Sequence, residues 1–343
     1  MEIKEIKVDG YKKVMMATDS ASGLKAIISV HNTSLGPAVG GTRLYPYANE
    51  DEALEDVLRL SKGMTYKSSL AGVNFGGGKS VIIANPAQKS PALLKAFGAF
   101  VDSYEGTYNC AEDVNTSVKD MEIIHEVTNH VMGLKNKGGD PSPLTALGVF
   151  VSIKATAEKK LGKKLSETHV AVQGVGHVGM HLVKMLHKEG AKISIADLNQ
   201  EQLAKISKKT GATIVDTETI HATECHIFAP CAMGAILNEK TIPQLNCKAI
   251  VGAANNQMAT DADAAAVAKR GILYAPDYLV NAGGIINVFI EQSEGGYDAQ
   301  KADTATRNIA NTLMDIFDMA EAQNILPSQA ADKIAEKRFL ESK

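Results

Sequence analysis

The chain reads as an α/β protein of two domains, the second a doubly wound parallel sheet. Three observations carry this. At 343 residues it exceeds the length at which one hydrophobic core usually stops growing. Short apolar runs alternate with amphipathic segments of helix length, most regularly after His169. Ala, Gly, Ile, Leu and Val abound while Trp is absent and aromatics make up 5%, a composition suited to parallel sheets covered by helices on both faces.

In the first half, Ala26 to Val30 predicts a strand, and the glycine-rich stretch Leu35-Gly-Pro-Ala-Val-Gly-Gly41 a tight loop after it. Asn49 followed by Glu52 resembles a capping box. Leu54, Val57, Leu58, Ser61 and Met64 then recur at three- and four-residue spacing, predicting a helix that ends near Met64, with Lys67 one turn later. Ser80 to Ala84 reads as a buried strand stopped by Asn85-Pro86. Ser90-Pro91 opens a helix whose apolar positions are Leu93, Leu94, Phe97, Phe100 and Val101. A strand through Tyr108 to Ala111 delivers Glu112 and Asp113 at its end, and Thr116 or Ser117 caps the next helix.

The break Lys135-Asn-Lys-Gly-Gly-Asp-Pro-Ser-Pro143 marks a domain boundary. Beyond it the expected order is a strand at Val170 to Gln173, a helix through Leu182 to His187, Gly190 as its stop, and a strand at Ile193 to Ala196. That is a βαβ unit. Further strands are expected at His226 to Ala229, Ala249 to Ala253 and Ile272 to Tyr274. The tail from about Ala302 to Ala320 has helical periodicity. The division is therefore residues 1–134, residues 135–320, and a C-terminal helix over 321–343 that returns to the first domain.

Gly174-Val-Gly-His-Val-Gly179 follows a strand and opens a helix, the context that turns a weak pattern into a dinucleotide fingerprint. Gly174 permits the tight turn, Gly176 lets the backbone approach a pyrophosphate, and Gly179 lets helix and strand pack closely. The intervening Val175, His177 and Val178 present N–H groups at the positive end of the helix. Asp197 closes the next strand where a ribose-binding acid is expected, and an acid there favours NAD over NADP by repelling a 2′-phosphate. The competing reading is a packing turn with a capping aspartate. The second domain is thus expected to be a Rossmann domain that binds NAD.

Two lysines stand out in the first domain, Lys67 and Lys79, the latter after three consecutive glycines in Asn74-Phe-Gly-Gly-Gly-Lys-Ser80. Glycines remove bulk, so a substrate is expected to approach the Lys79 amine closely. A lysine desolvated near another cation has a lowered pKa and serves as a base near neutrality. Lys67 then stays charged to bind a carboxylate, and Asp113 is placed for proton transfer. Gly78-Lys79-Ser80 also ends like a phosphate-binding loop, but that pattern needs a glycine where Val73 stands, and a strand rather than a helix follows. An ATPase of that kind and a non-catalytic NAD sensor are the readings from other classes. His221, Cys225, His226 and Cys231 have no trustworthy zinc spacing, so no metal is expected.

With 36 basic against 39 acidic residues, the charge balance argues against a nucleic-acid or membrane-surface partner and favours a small molecule. The four cysteines show no pairing framework, and no segment approaches the length of a signal or a membrane span, so a reducing cytoplasm is expected.

Leu35 to Gly41, the Lys62 to Ser80 block, Ala111-Glu-Asp-Val114, Gly139-Asp-Pro-Ser-Pro143, Val172-Gln-Gly-Val-Gly176, Ala229-Pro-Cys-Ala232, Ala253-Ala-Asn-Asn-Gln257, Pro276-Asp-Tyr278 and Asn281-Ala-Gly-Gly284 together resemble the Glu/Leu/Phe/Val dehydrogenase family, closest to its leucine dehydrogenases. The resemblance covers nearly the whole chain in order. It implies oxidative deamination of an L-amino acid, with Lys79 as the catalytic lysine, Lys67 holding the substrate carboxylate and Asp113 as the essential acid. Gly40 and Gly41 are implied beside the substrate, and Thr145, Asn255 and Asn281 near the nicotinamide and substrate amine. A side-chain pocket is implied at Val39, Ala111, Ile285 and Val288, all apolar, which points to L-leucine and other branched-chain amino acids, with phenylalanine or tryptophan as the alternative. His177 departs from the asparagine usual at that place in the glycine loop. The family also implies a homo-oligomer.

Overall fold

The computed structural model describes residues 1–134, 139–232, 234–292 and 296–342. Lys135 to Gly138, within the expected boundary, lie outside them. The chain divides into two compact units. The first comprises Met1–Gly139, Val288–Tyr297 and Ala335–Lys343, and the second Asp140–Asn287 and Asp298–Ile334. Besides the residues expected up to 134, the first unit takes in Val288–Tyr297, and of the tail set apart as 321–343 the residues from Ala335 belong to it.

The first unit holds β1 (Glu2–Glu5), β2 (Lys13–Asp19), β3 (Leu24–Asn32), β4 (Ala38–Tyr45), β5 (Gly76–Ile83) and β6 (Tyr108–Glu112). They form one sheet in the order β1-β2-β3-β5-β4-β6. The parallel sheet expected from composition is here mixed: β1 through β3 and β5 pair antiparallel, whereas β4 pairs parallel with β5 and β6. Strands β1 and β2 escaped the sequence reading, because all four residues of β1 are exposed at the edge and show no apolar run. The glycine-rich stretch expected as a loop enters β4, which lies between two partners.

Helix α1 (Glu50–Leu70) is capped by Asn49, whose side chain accepts the Glu52 N–H, and it runs past the expected end to take in Lys67. Its residues Ala53 and Val57 pack on Val14, Ile27 and Val81 on one face of the sheet. The opposite face is covered by α2 (Pro91–Asp102) and α3 (Val118–His125), with Leu93, Leu94, Phe97, Phe100 and Ile124 meeting Ile28, Leu44 and Ile82. Ser117, not Thr116, caps α3.

The second unit begins with α4 (Ser142–Ala155). Its sheet contains β7 (His169–Gln173), β8 (Lys192–Ala196), β9 (Thr213–Ile214), β10 (Ile227–Pro230), β11 (Ala249–Ile250) and β12 (Leu273–Tyr274), all parallel, in the order β12-β11-β10-β7-β8-β9. The chain starts in the middle and winds outward both ways, so the loops after β7 and β10 diverge at a switch point, where ligands bind in such sheets. Helices α5 (His177–Lys188), α6 (Gln200–Thr210) and α7 (Asp261–Lys269) connect the strands. After α8 (Asp277–Val280) and α9 (Gly283–Glu291), the tail expected as one helix is two, α10 (Ala299–Arg307) and α11 (Ile309–Gln323), meeting at Asn308. Last comes α12 (Pro327–Glu341).

Candidate active site

Strand parity brings together the candidate residues of the first unit. Lys79 on β5 stands opposite Gly41 on β4, and Gly41 opposite Ala111 on β6. Side chains alternate along a strand, so Val39, Gly41, Arg43, Lys79 and Ala111 share the face that α1 covers in part. Asp113, two residues beyond Ala111, turns to the same side: its Oδ2 lies 3.1 Å from Lys79 Nζ. Gly41 makes the meeting possible. A Cβ there would come within 2.7 Å of the Asp113 Cβ and 3.0 Å of Lys79 Nζ.

Lys79 is 6% exposed. Burial pushes its ammonium pKa down; Asp113 opposes this and nearby Arg43 adds to it. For Asp113 burial works the other way, but the charges of Lys79 and then Arg43 hold its carboxyl below the usual range. The pair therefore consists of a buried amine whose proton is easily lost beside a carboxylate that stays ionised. Thr116 fixes the Asp113 backbone, its Oγ accepting the Asp113 N–H at 2.8 Å and donating to the Thr42 carbonyl at 2.7 Å. Lys67 is half-buried on the last turn of α1.

The three glycines before Lys79 differ in role from the expectation. They are part of β5, and the protein's own atoms take up the space they leave. A Cβ on Gly77 would fall 2.0 Å from the Thr65 Oγ and 2.2 Å from the Thr65 N of α1. Gly77 brings helix and strand together, while Gly76 packs against the Asn32 and Gly36 carbonyls and Gly78 against the Tyr108 ring.

In the second unit the glycine loop follows β7. Gly174 has φ +92°, and Gly179 packs so tightly that a Cβ would lie 1.9 Å from the Gly174 carbonyl oxygen. A Cβ on Gly176 would meet no protein atom within 4 Å, which leaves the backbone at the start of α5 open to a phosphate. Asp197 lies after β8, where its Oδ2 accepts the Val175 N–H at 2.7 Å and its Oδ1 the Asn199 N–H at 2.8 Å. Val175 is buried, and His177 and Val178 begin α5. These residues fit a dinucleotide.

Asn255 and Asn281 meet directly, Asn281 Nδ2 donating to Asn255 Oδ1 at 2.7 Å. Sequence reasoning missed what supports them. The Gln257 N–H donates to Asp277 Oδ2 at 2.9 Å, and Gln257 Nε2 donates to the carbonyls of Gly252 and Ala254, so the Asn255 loop is pinned at its far end. Thr145 on α4 donates to the Pro141 carbonyl, and its Oγ stands 3.3 Å from where a Gly284 Cβ would be. Of the four apolar residues expected to line a side-chain pocket, Val39, Ala111 and Val288 belong to the first unit and Ile285 to the second. Among the described residues no group of three or more His, Cys, Asp or Glu side chains is placed to hold a metal ion.

A doubly wound unit with a dinucleotide loop, and a second α/β unit carrying a buried lysine–carboxylate pair, define a pyridine-nucleotide-dependent oxidoreductase. Residues 7–130 match the Glu/Leu/Phe/Val dehydrogenase dimerisation domain, and residues 140–339 the Glutamate/Leucine/Phenylalanine/Valine dehydrogenase domain. The chain belongs to this family of amino-acid dehydrogenases. It is 46% identical to leucine dehydrogenase of Geobacillus stearothermophilus over 98% of its length and 92% of that protein. It is 45% identical to L-tryptophan dehydrogenase of Nostoc punctiforme, over 97% of its length and 95% of that one. A crystal structure of L-tryptophan dehydrogenase from Nostoc punctiforme superposes with a TM-score of 0.88 at 44% identity, covering 97% of this chain and 96% of that one.

Proposed function

We propose that the enzyme deaminates L-leucine and other branched-chain amino acids oxidatively, giving the 2-oxo acid and ammonium. The observation that carries the chemistry is Lys79 buried against Asp113 across the gap at Gly41. Bound NAD supplies the acceptor for the hydride leaving the substrate Cα. Lys79, whose ammonium is disfavoured by burial, acts as the base for water attack on the resulting imine. Asp113 exchanges protons with the amine and the carbinolamine, and Lys67 balances the substrate carboxylate. Gly40 and Gly41 line the path of the substrate, and Thr145, Asn255 and Asn281 orient the nicotinamide and the amine.

Val39, Ala111, Ile285 and Val288 offer no charge to a substrate side chain, so a glutamate would bury an unpaired carboxylate. Leucine dehydrogenases at 46% identity support the aliphatic reading. The 45% identity to an L-tryptophan dehydrogenase favours the aromatic alternative. One apolar pocket separates apolar side chains by only about 1–3 kcal/mol per methylene. NAD is favoured over NADP by Asp197: a carboxylate has about four acceptor sites, so after binding two backbone N–H groups it still accepts a ribose hydroxyl and repels a 2′-phosphate. The match to a dimerisation domain supports a homo-oligomer, and four free cysteines suit a reducing cytoplasm.

The deciding experiment compares kcat/KM for leucine, valine, phenylalanine and tryptophan, each with NAD and with NADP. Leucine with NAD should rank first. An aromatic substrate ahead by about tenfold, roughly 1.4 kcal/mol in transition-state binding, overturns the substrate, and a preference for NADP overturns the reading of Asp197.

A further inference from the structure

Lys79 and Asp113 have a third partner that the family blocks leave without a role. Arg43 stands on β4 two residues past Gly41, on the same face of the strand. Its Nε donates at 3.1 Å to Asp113 Oδ2, the oxygen that Lys79 also approaches. Its Nη1 donates at 2.8 Å to Asp56 Oδ2 on α1. Asp56 is itself held, by the Tyr47 hydroxyl at 2.6 Å and by Arg59 on Oδ1 at 3.0 Å. One guanidinium thus spans two carboxylates from different elements, with its side chain only 21% exposed.

We propose that Arg43 is a positioning residue for the catalytic pair: anchored by Asp56, it fixes the Asp113 carboxylate against Lys79. This rests on the roles given to Lys79 and Asp113 above. A guanidinium is a rigid planar fork, whereas an ammonium is a point charge on a flexible stem, so only arginine holds both carboxylates in set directions. Thr116 fixes the backbone of Asp113, which follows the last residue of β6, and the direction of its carboxylate is set by the side chains that reach it, Lys79 and Arg43. Misplacement of a reacting group by about 1 Å costs on the order of 10²-fold in rate.

Charge follows the same geometry. The ionised groups acting on Lys79 are Asp113 after β6, Arg43 on β4 and Asp56 on α1, and Arg43 both disfavours the Lys79 ammonium and favours the Asp113 carboxylate. Tyr47 and Arg59 reach Asp56 rather than Lys79. Lys67, the other cation assigned to the site, lies on the last turn of α1. Removing the guanidinium should therefore raise the pH at which Lys79 loses its proton.

The test measures kcat, KM and the pH profile of kcat/KM in full-length wild type, Arg43→Met, Arg43→Lys, Asp56→Asn and Lys79→Ala, using NAD and L-leucine, or the amino acid the wild type turns over fastest. Arg43→Met should lower kcat by ~10- to 100-fold, leave KM for NAD within about twofold, and move the acid limb to higher pH. Arg43→Lys should return the limb towards its wild-type position while recovering only part of kcat, because the charge is back but the fork is not. An Arg43→Met enzyme with kcat within about twofold and an unmoved limb overturns the proposal, as does a fall in kcat with the limb unmoved, which marks a structural ion pair. Where Arg43→Met does not fold, Asp56→Asn decides: lowered kcat and a displaced limb support the anchor, and wild-type values overturn it. Turnover by Lys79→Ala would instead sink the base assignment. A dead Lys79→Ala beside a normal Arg43→Met sinks this inference alone.

Discussion

The proposed chemistry rests on a lysine shielded from water and a carboxylate whose ionised form two cations favour. Burial lowers the Lys79 pKa and two cations keep Asp113 ionised, so activity should rise with pH through a value below that of an ordinary lysine, while Asp113 contributes no limb near neutrality. Lys79→Ala is expected to cost roughly 10²-fold or more in kcat and to abolish that rise, with NAD binding by the second unit retained in fluorescence titration. Near-normal turnover would remove Lys79 from the mechanism. Lys79 and Asp113 were legible because one sits in a glycine block and the other closes a strand. Arg43 was not, because residues 35–41 looked like a loop, and only in a strand does a position two past Gly41 acquire the same facing as Lys79. Gln257 and Asp277 were hidden for a related reason: their bond joins positions twenty residues apart, and no local pattern announces it.

At the scale of elements, periodicity located α1, α2 and the strands of the second sheet other than the exposed β9, and failed where glycine or exposure breaks the pattern. Edge strand β1 buries nothing, β4 and β5 carry glycines at close approaches, and Lys67 extends a helix whose apolar stripe had thinned. Glycine marks a loop only when the chain bends there; in β5 it marks a helix lying almost on the strand. Gly77→Ala tests this. Its methyl would need Thr65 and the α1 backbone to move by more than an ångström, a cost on the order of 3 kcal/mol, so the melting temperature should fall by several degrees even with substrate absent. Unchanged thermal unfolding would mean that α1 rides farther from β5 than described. The variant should also lose activity, since Lys79 follows two residues on.

The molecule as a whole was legible in its class and in its second sheet, whose order is that of a doubly wound fold, whereas the share of residues 288–297 in the first unit was not expected. The first unit is completed by two later segments, Val288–Tyr297 and Ala335–Lys343. The last is tied down by specific bonds: Tyr66 donates to Glu336, Ser69 to the Ala335 carbonyl, and Arg338 Nη1 donates to the carbonyls of Ser68, Ser69 and Val73 while its Nη2 reaches Asn74 Oδ1. Phe339 packs edge-on against Tyr66 at 5.5 Å. Hydrogen bonds from a charged donor are worth about 1.5–3 kcal/mol each when the acceptors would otherwise be stranded, so the end of α12 matters to the fold of α1.

That closing turn sets an order of events at the ribosome. The first unit's six strands precede the second unit in the chain, yet the arginine that satisfies the carbonyls at the end of α1 is translated only after the whole of the second unit. A nascent chain therefore carries an unfinished first unit while the whole of the second is synthesised, and a stop placed before Arg338 leaves that unit unfinished. A chain ending at Ile334 should keep the second unit's NAD binding but show a first unit that is cleaved rapidly by a protease in limited digestion. Equal resistance of the shortened and full-length chains would show that the final segment is dispensable.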